Sequence, residues 1–201
     1  MDDEVTYTSW WATDGSLKPK VTAQRLAYFQ RQNPSYTDDP YGYMALVPCL
    51  RDGERDGPGR VVRIELTTRS PSQLELLSVL CAHVVARADG EVQPLIYTDC
   101  QDTDSLLDLM LGRRVQRVGR RGKFRPLPEL VALLEALGGE VDYVHSKWLP
   151  RRHHPALVFA DNLANHARDP RGDIGPDDWS EVDFNDVLHM AHEIKAPDYD
   201  H

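Results

Sequence analysis

Four acids stand where regular elements could deliver them to one place. Asp99 follows Leu95-Ile96-Tyr97-Thr98, a run suited to a buried central strand. Its carboxylate then lies at the carboxyl end of that strand, where open α/β sheets collect their ligands. It would serve equally as the N-cap of a following helix. Asp14 sits in Thr13-Asp14-Gly15-Ser16, Glu75 in Gln73-Leu74-Glu75-Leu76, and Asp161 in Ala160-Asp161-Asn162-Leu163-Ala164. Each has an ordinary use as well: an Asp-Gly turn, a favourable charge near the positive end of a helix, a solvated surface acid. Only the four taken together, in matching settings, point to chemistry.

The elements that must carry them follow along the chain. Thr6 to Ala12, rich in Tyr, Thr and Trp, reads as a first strand that Thr13-Asp14-Gly15-Ser16 ends, leaving Asp14 at its tip. Residues 17–40 form an insert, with a short helix around Val21 to Gln30 bearing Arg25 and Arg31. Tyr41 to Leu50 and Val61 to Thr68 read as two strands joined by a hairpin connection. Ser70, Pro71 and Gln73 form a helix start with capping-box spacing, and Leu74, Leu77, Cys81, Val84 and Val85 form its apolar stripe. The strand–helix–strand order ending at Asp99 predicts a parallel pairing. Helices are expected over Thr103 to Leu111 and Leu127 to Leu137, a fifth strand over Glu140 to Val144, and a polar, basic loop over Ser146 to Pro155. Leu157 to Ala167 is a helix carrying Asp161. A half-buried acid there, without a nearby basic partner, costs free energy unless it meets a ligand. Beyond a linker at 168–176, Asp178 to Ile194 reads as an acidic amphipathic helix, with His189 and His192 as a surface pair.

The chain has 201 residues and a net charge of −9, so the molecule as a whole is not an electrostatic nucleic-acid binder. Arg113 to Arg125 is the exception, with six arginines, one lysine and no acid. It is either a solvated loop or a grip for phosphates. Three cysteines without metal-type spacing read as reduced thiols. With no long apolar run and an acidic start, a cytoplasmic protein away from membranes is expected.

The order of elements and four short motifs resemble the type 1 ribonuclease H family over roughly residues 5–168. Thr13-Asp14-Gly15-Ser16 is similar to the family's TDGS. Thr67-Thr68 with Gln73-Leu74-Glu75-Leu76-Leu77 is similar to its TT…xxMELxA helix start. Tyr97-Thr98-Asp99-Cys100-Gln101 looks like its TDSQ, and Ala160 to Ala167 like its xDxLAxxA helix. The resemblance implies an α/β fold with a mixed five-stranded sheet and helices on both faces, spanning 1–168. The linker and C-terminal helix over 169–201 are read from the sequence and lie outside the resemblance. The resemblance also implies that Asp14, Glu75, Asp99 and Asp161 converge to hold two Mg²⁺ ions, with Mn²⁺ as an alternative. The activity implied is endonucleolytic hydrolysis of the RNA strand of RNA–DNA hybrids.

Departures are visible. Lys147 stands where the family's mobile His is expected, with His145, His153 and His154 nearby, and His154 is taken as the substitute. The glycine-rich stretch after TDGS and the asparagines after TT, which contact the RNA strand in the family, are replaced by Leu17-Lys18-Pro19-Lys20 and by Arg69-Ser70-Pro71. Arg113, Arg114, Arg117, Arg120, Arg121 and Lys123 fall where some family members carry a basic protrusion, and with Lys147 they are the expected nucleic-acid contacts. A same-fold nuclease for another nucleic acid, and a catalytically silent binding module, remain the alternatives.

Overall fold

A computed structural model describes residues 6–18, 20, 22–32, 34, 38, 41–113, 124–170 and 173–194. The elements run β1 (Ser9–Leu17), α1 (Ala23–Gln32), β2 (Tyr41–Cys49), β3 (Gly59–Glu65), α2 (Pro71–Ala88), β4 (Pro94–Thr98), α3 (Thr103–Met110), α4 (Pro128–Leu137), β5 (His145–Trp148), α5 (Pro155–Arg168), β6 (Trp179–Asp183) and α6 (Phe184–Glu193). The strands form one mixed sheet in the order β5-β4-β1-β2-β3-β6. β1, β2 and β3 are an antiparallel meander. β4 lies parallel to β1 and β5 parallel to β4, while β6 lies parallel to β3.

Alternation of the strands separates two cores. On one face Trp11, Met44, Leu46, Val62 and Ile64 pack against α2, α4 and α6. On the other, Ala12, Ala45, Val47 and Val61 meet the Ala156, Leu157, Ala160 and Leu163 face of α5. α2 is buried along most of its length, from Gln73 to Ala86 with one half-buried position at Glu75. No described helix is long and apolar enough to cross a membrane.

The expected α/β architecture is present, with differences in detail. β1 does not stop at Thr13-Asp14; it runs on to Leu17, with Asp14 opposite Ala45 of β2. β4 pairs with β1 rather than with β3, because the crossover through α2 passes over the meander to its open edge. Glu140 to Val144 is not a strand: residues 138–143 form a 3₁₀ helix, and β5 begins at His145. The reason is side-chain capture. The Glu140 carboxylate is drawn into the core to His83 Nε2 at 3.1 Å and Arg87 Nε at 2.7 Å, which outweighs a ladder pairing. The expected helix over Asp178 to Ile194 is divided. Trp179 to Asp183 forms a sixth strand, and the Asp183 side chain caps α6 by accepting from Asn185 N at 2.7 Å. Gln73 makes no capping box; its amide donates to the Arg125 carbonyl at 3.0 Å and accepts from Leu127 N at 2.7 Å, tying α2 to the entry of α4.

Candidate active site

Parallel pairing of β1 and β4 places two of the acids side by side. Ala12 lies opposite Tyr97, so Asp14 and Asp99 are each two residues further on and face the same way. Glu75 arrives from above the sheet on the first turns of α2. That approach needs small residues beneath it. A Cβ on Gly15 would meet Leu74 Cγ at 3.0 Å and Glu75 Oε1 at 3.5 Å; one on Gly42 would meet Leu74 Cδ1 at 2.7 Å. The two glycines therefore let α2 settle on the strands with Glu75 beside Asp14. Asp14, Glu75 and Asp99 each present a carboxylate oxygen within 4.8 Å of the others.

Burial and mutual repulsion govern the charge of this group. Asp14 is buried at 3% exposure. Loss of hydration pushes its carboxyl up to about 7, with Arg151 opposing and Asp161 and Asp99 adding to the rise. Glu75 is pushed up to about 9 by burial first, then by Asp14 and Asp99, against the Gly15 amide and Arg151. Its Oε2 is buried without a hydrogen-bond partner. A buried orphan oxygen beside two further carboxylates suits a hard divalent cation, which takes oxygen ligands and offsets their repulsion.

Asp161, on α5, joins the cluster through a residue that the sequence reading overlooked. Arg151, in the 3₁₀ turn Arg151–His153 between β5 and α5, lies among three acids. Its Nη2 is 2.9 Å from Asp14 Oδ1 and 2.6 Å from Asp99 Oδ2, and its Nη1 is 2.5 Å from Asp161 Oδ1. The expectation that Asp161 lacks a basic partner is thus corrected. Only the chain reversal between β5 and α5 brings position 151 to it. Asn165, one turn further along α5, donates to Asp161 Oδ1 at 2.9 Å and accepts from Ser16 Oγ at 3.0 Å. Arg168 in turn donates to Ser16 Oγ at 2.8 Å. This relay orients Asp161 from behind; the serine of Thr13-Asp14-Gly15-Ser16 and the helical i, i+4 spacing of 161 and 165 were its only sequence signals.

No protein-family model matches the chain, and no curated protein does. Solved structures do. The N-terminal ribonuclease H domain of a Mycobacterium tuberculosis protein superposes with a TM-score of 0.50 at 16% identity, over 82% of this chain and 95% of that one. This protein has a ribonuclease H-like fold. Ribonuclease H1 of the halophilic archaeon Halobacterium salinarum superposes with a TM-score of 0.47 at 15% identity, over 81% of this chain and 98% of that one.

Within the ribonuclease H-like fold, the other expected residues are placed as follows. His154 does not suit a mobile role. It is buried at 6% exposure, and its Nδ1 caps α5 by accepting from Leu157 N at 3.3 Å. Its ring packs on Tyr97, with centroids 4.6 Å apart, and against Gly53. Burial lowers its basicity. Its fixed ring positions the start of α5, and hence Asp161. Lys147 is exposed on edge strand β5, next to Trp148, whose indole donates to the Asp99 carbonyl at 3.0 Å. Arg113 pairs with Asp142 on the surface. Arg114, Arg117, Arg120, Arg121 and Lys123 lie outside the described residues.

Proposed function

We propose that this protein is a metal-dependent endonuclease that hydrolyses the RNA strand of RNA–DNA hybrids. The observation that carries the reading is the convergence of Asp14, Glu75 and Asp99 from β1, α2 and the end of β4. In the reading, these three hold one side of a two-ion site, and Asp161 completes the other. Two divalent ions, Mg²⁺ or Mn²⁺, held by these carboxylates would supply an activated water and stabilise the leaving oxygen of an in-line displacement. The chain's own groups do the rest. Asn165 keeps Asp161 aimed at the site, and burial of Asp14 excludes competing water from its carboxylate. Lys147 and the basic segment 113–125 offer charge for substrate phosphates.

One observation favours a second reading, a nuclease of the same fold acting on another nucleic acid. Thr67 and Arg69 are engaged by contacts within the protein. Arg69 donates to the Lys18 carbonyl at 3.2 Å and to the Asp38 carbonyl and carboxylate at 2.9 and 3.0 Å. Thr67 donates from both its amide and its hydroxyl to Glu129 Oε1. These groups hold the insert and α4 rather than facing a ribose.

Cleavage of four end-labelled duplex or single-stranded substrates of one sequence, namely RNA–DNA, RNA–RNA, DNA–DNA and single-stranded RNA, with Mg²⁺, Mn²⁺ or chelator, separates the readings. Metal-dependent cutting of the hybrid's RNA strand alone, lost in Asp14→Asn and Asp99→Asn, is the expected result. Cutting of another substrate selects the second reading. A folded protein that cuts nothing refutes both.

A further inference from the structure

We infer that Arg151 is the resident counter-ion of the metal seat: its guanidinium and the divalent ions are alternative occupants of the same carboxylates, and the arginine sets the metal concentration at which the site loads. The inference rests on the metal-dependent reading above.

The geometry sets the two occupants in competition. Arg151 spends its donors on Asp14 Oδ1, Asp99 Oδ2 and Asp161 Oδ1, at 2.5–2.9 Å. Asp99 Oδ2 also accepts from Arg151 Nε at 2.6 Å. A Mg²⁺ ion binds carboxylate oxygen at about 2.0–2.1 Å and demands near-octahedral surroundings. The guanidinium takes Asp14 Oδ1 and Asp99 Oδ2 and sets its positive charge among the acids, so an ion that needs those oxygens must displace it. Either cation relieves the repulsion among the acids; with both absent the buried carboxylates are left uncompensated.

The structure also shows how the exchange could run. Glu75 is the acid of the group with an orphaned oxygen, since its Oε2 is buried without a partner. An ion that reaches the Asp14–Glu75–Asp99 group therefore gains a ligand at Glu75 that Arg151 does not hold. Asp161 is the acid outside that group, so it is the partner Arg151 can keep for longest. The backbone around Arg151 is held on both sides. Leu149 N donates to the Thr98 carbonyl at 3.0 Å, His153 N to the Pro150 carbonyl at 3.1 Å, and His154 N to the Arg151 carbonyl at 3.0 Å. Displacement is therefore a swing of the side chain alone, and that side chain is 37% exposed, with a path to solvent. Unlike a lysine, the planar fork binds two carboxylates at once and stays charged at every working pH.

The test is a metal titration of the full chain, with Mn²⁺ alone as probe, followed by calorimetry and by the electron paramagnetic resonance of free Mn²⁺. Thermal unfolding in chelator is recorded in parallel. Arg151→Gln is expected to bind Mn²⁺ at least tenfold more tightly than the parent and to melt at lower temperature without metal. Saturating Mn²⁺ should raise its melting temperature by more than it raises the parent's. Arg151→Lys, which keeps the charge and loses the fork, should fall between the two, and it decides the matter if Arg151→Gln does not fold. Unchanged or weaker Mn²⁺ affinity in the folded variants overturns the inference while leaving the metal site intact. A parent that binds no Mn²⁺ at millimolar concentration overturns the metal reading, and the inference with it.

Discussion

Glu75 is the place to test whether the cluster is under electrostatic load. Its carboxyl, ordinarily near 4.5, is raised to about 9 in the folded chain. Between those two values the folded protein holds a proton that the unfolded chain has released. Each such proton makes stability fall by about 1.36 kcal/mol per pH unit as pH rises. A raised carboxyl contributes stability that is complete below its unfolded value and is lost as pH climbs through its folded value. His83, His145 and His154 have lowered values. They work in the opposite sense, but only below about 6.5, where the unfolded imidazoles take up protons. From about pH 7 to about pH 8.5 Glu75 alone should lower stability by about 2 kcal/mol; the buried thiols of Cys49 and Cys81, also raised, add a smaller fall near the top of the window that parent and Glu75 variant share. The assay is urea unfolding in chelator across that window at fixed ionic strength, for the parent and for Glu75→Gln. The amide keeps the volume and the acceptor for the Gly15 amide but carries no proton to lose. The parent should weaken with pH and the variant should weaken much less, so that their difference opens by about 2 kcal/mol. Saturating metal should abolish the parent's slope, because ligation replaces the proton. A parent whose metal-free stability is flat or rises over this window, or a variant that falls as steeply, would refute the reasoning.

Other expectations follow from single contacts. Asn165→Ala removes the donor behind Asp161 and should weaken metal binding by about 10-fold or more, the range for outer partners of ligands, with little change in unfolding of the metal-free chain. Glu140→Ala leaves His83 and Arg87 without the acid they share in the core; by the usual cost of breaking a buried pair, about 3–5 kcal/mol should be lost in urea unfolding. Exposed Arg25 and Arg31 on α1 lie in a segment, 17–37, that has no acid. Arg25→Glu with Arg31→Glu should weaken binding of an RNA–DNA duplex and reduce its salt slope by roughly two, as anisotropy at several ionic strengths would show; an unchanged slope would place α1 away from phosphate.

What could be read from the chain alone was local or periodic. The stripe of α2, the buried run before Asp99, and the alternation of β3 are written in residue types that depend only on the face to be buried. So were the four acids, because each sits inside a short motif with its own element. Three things needed the tertiary structure. Residues 138–143 turn into a 3₁₀ helix because Glu140 finds His83 and Arg87, which are more than fifty positions away along the chain. Trp179 to Asp183 suits a helical stripe as well as a strand; only the free edge of β3 makes it β6. And Arg151 lay unmarked in a basic loop that also holds Arg152, His153 and His154. Which of these cations meets the acids is set by where β5 ends and α5 begins, since a turn of backbone decides whether a side chain points into the cluster, caps a helix or faces water. Residue types determined that this protein could gather carboxylates; the packing of β1, β4, α2 and α5 decided what sits between them.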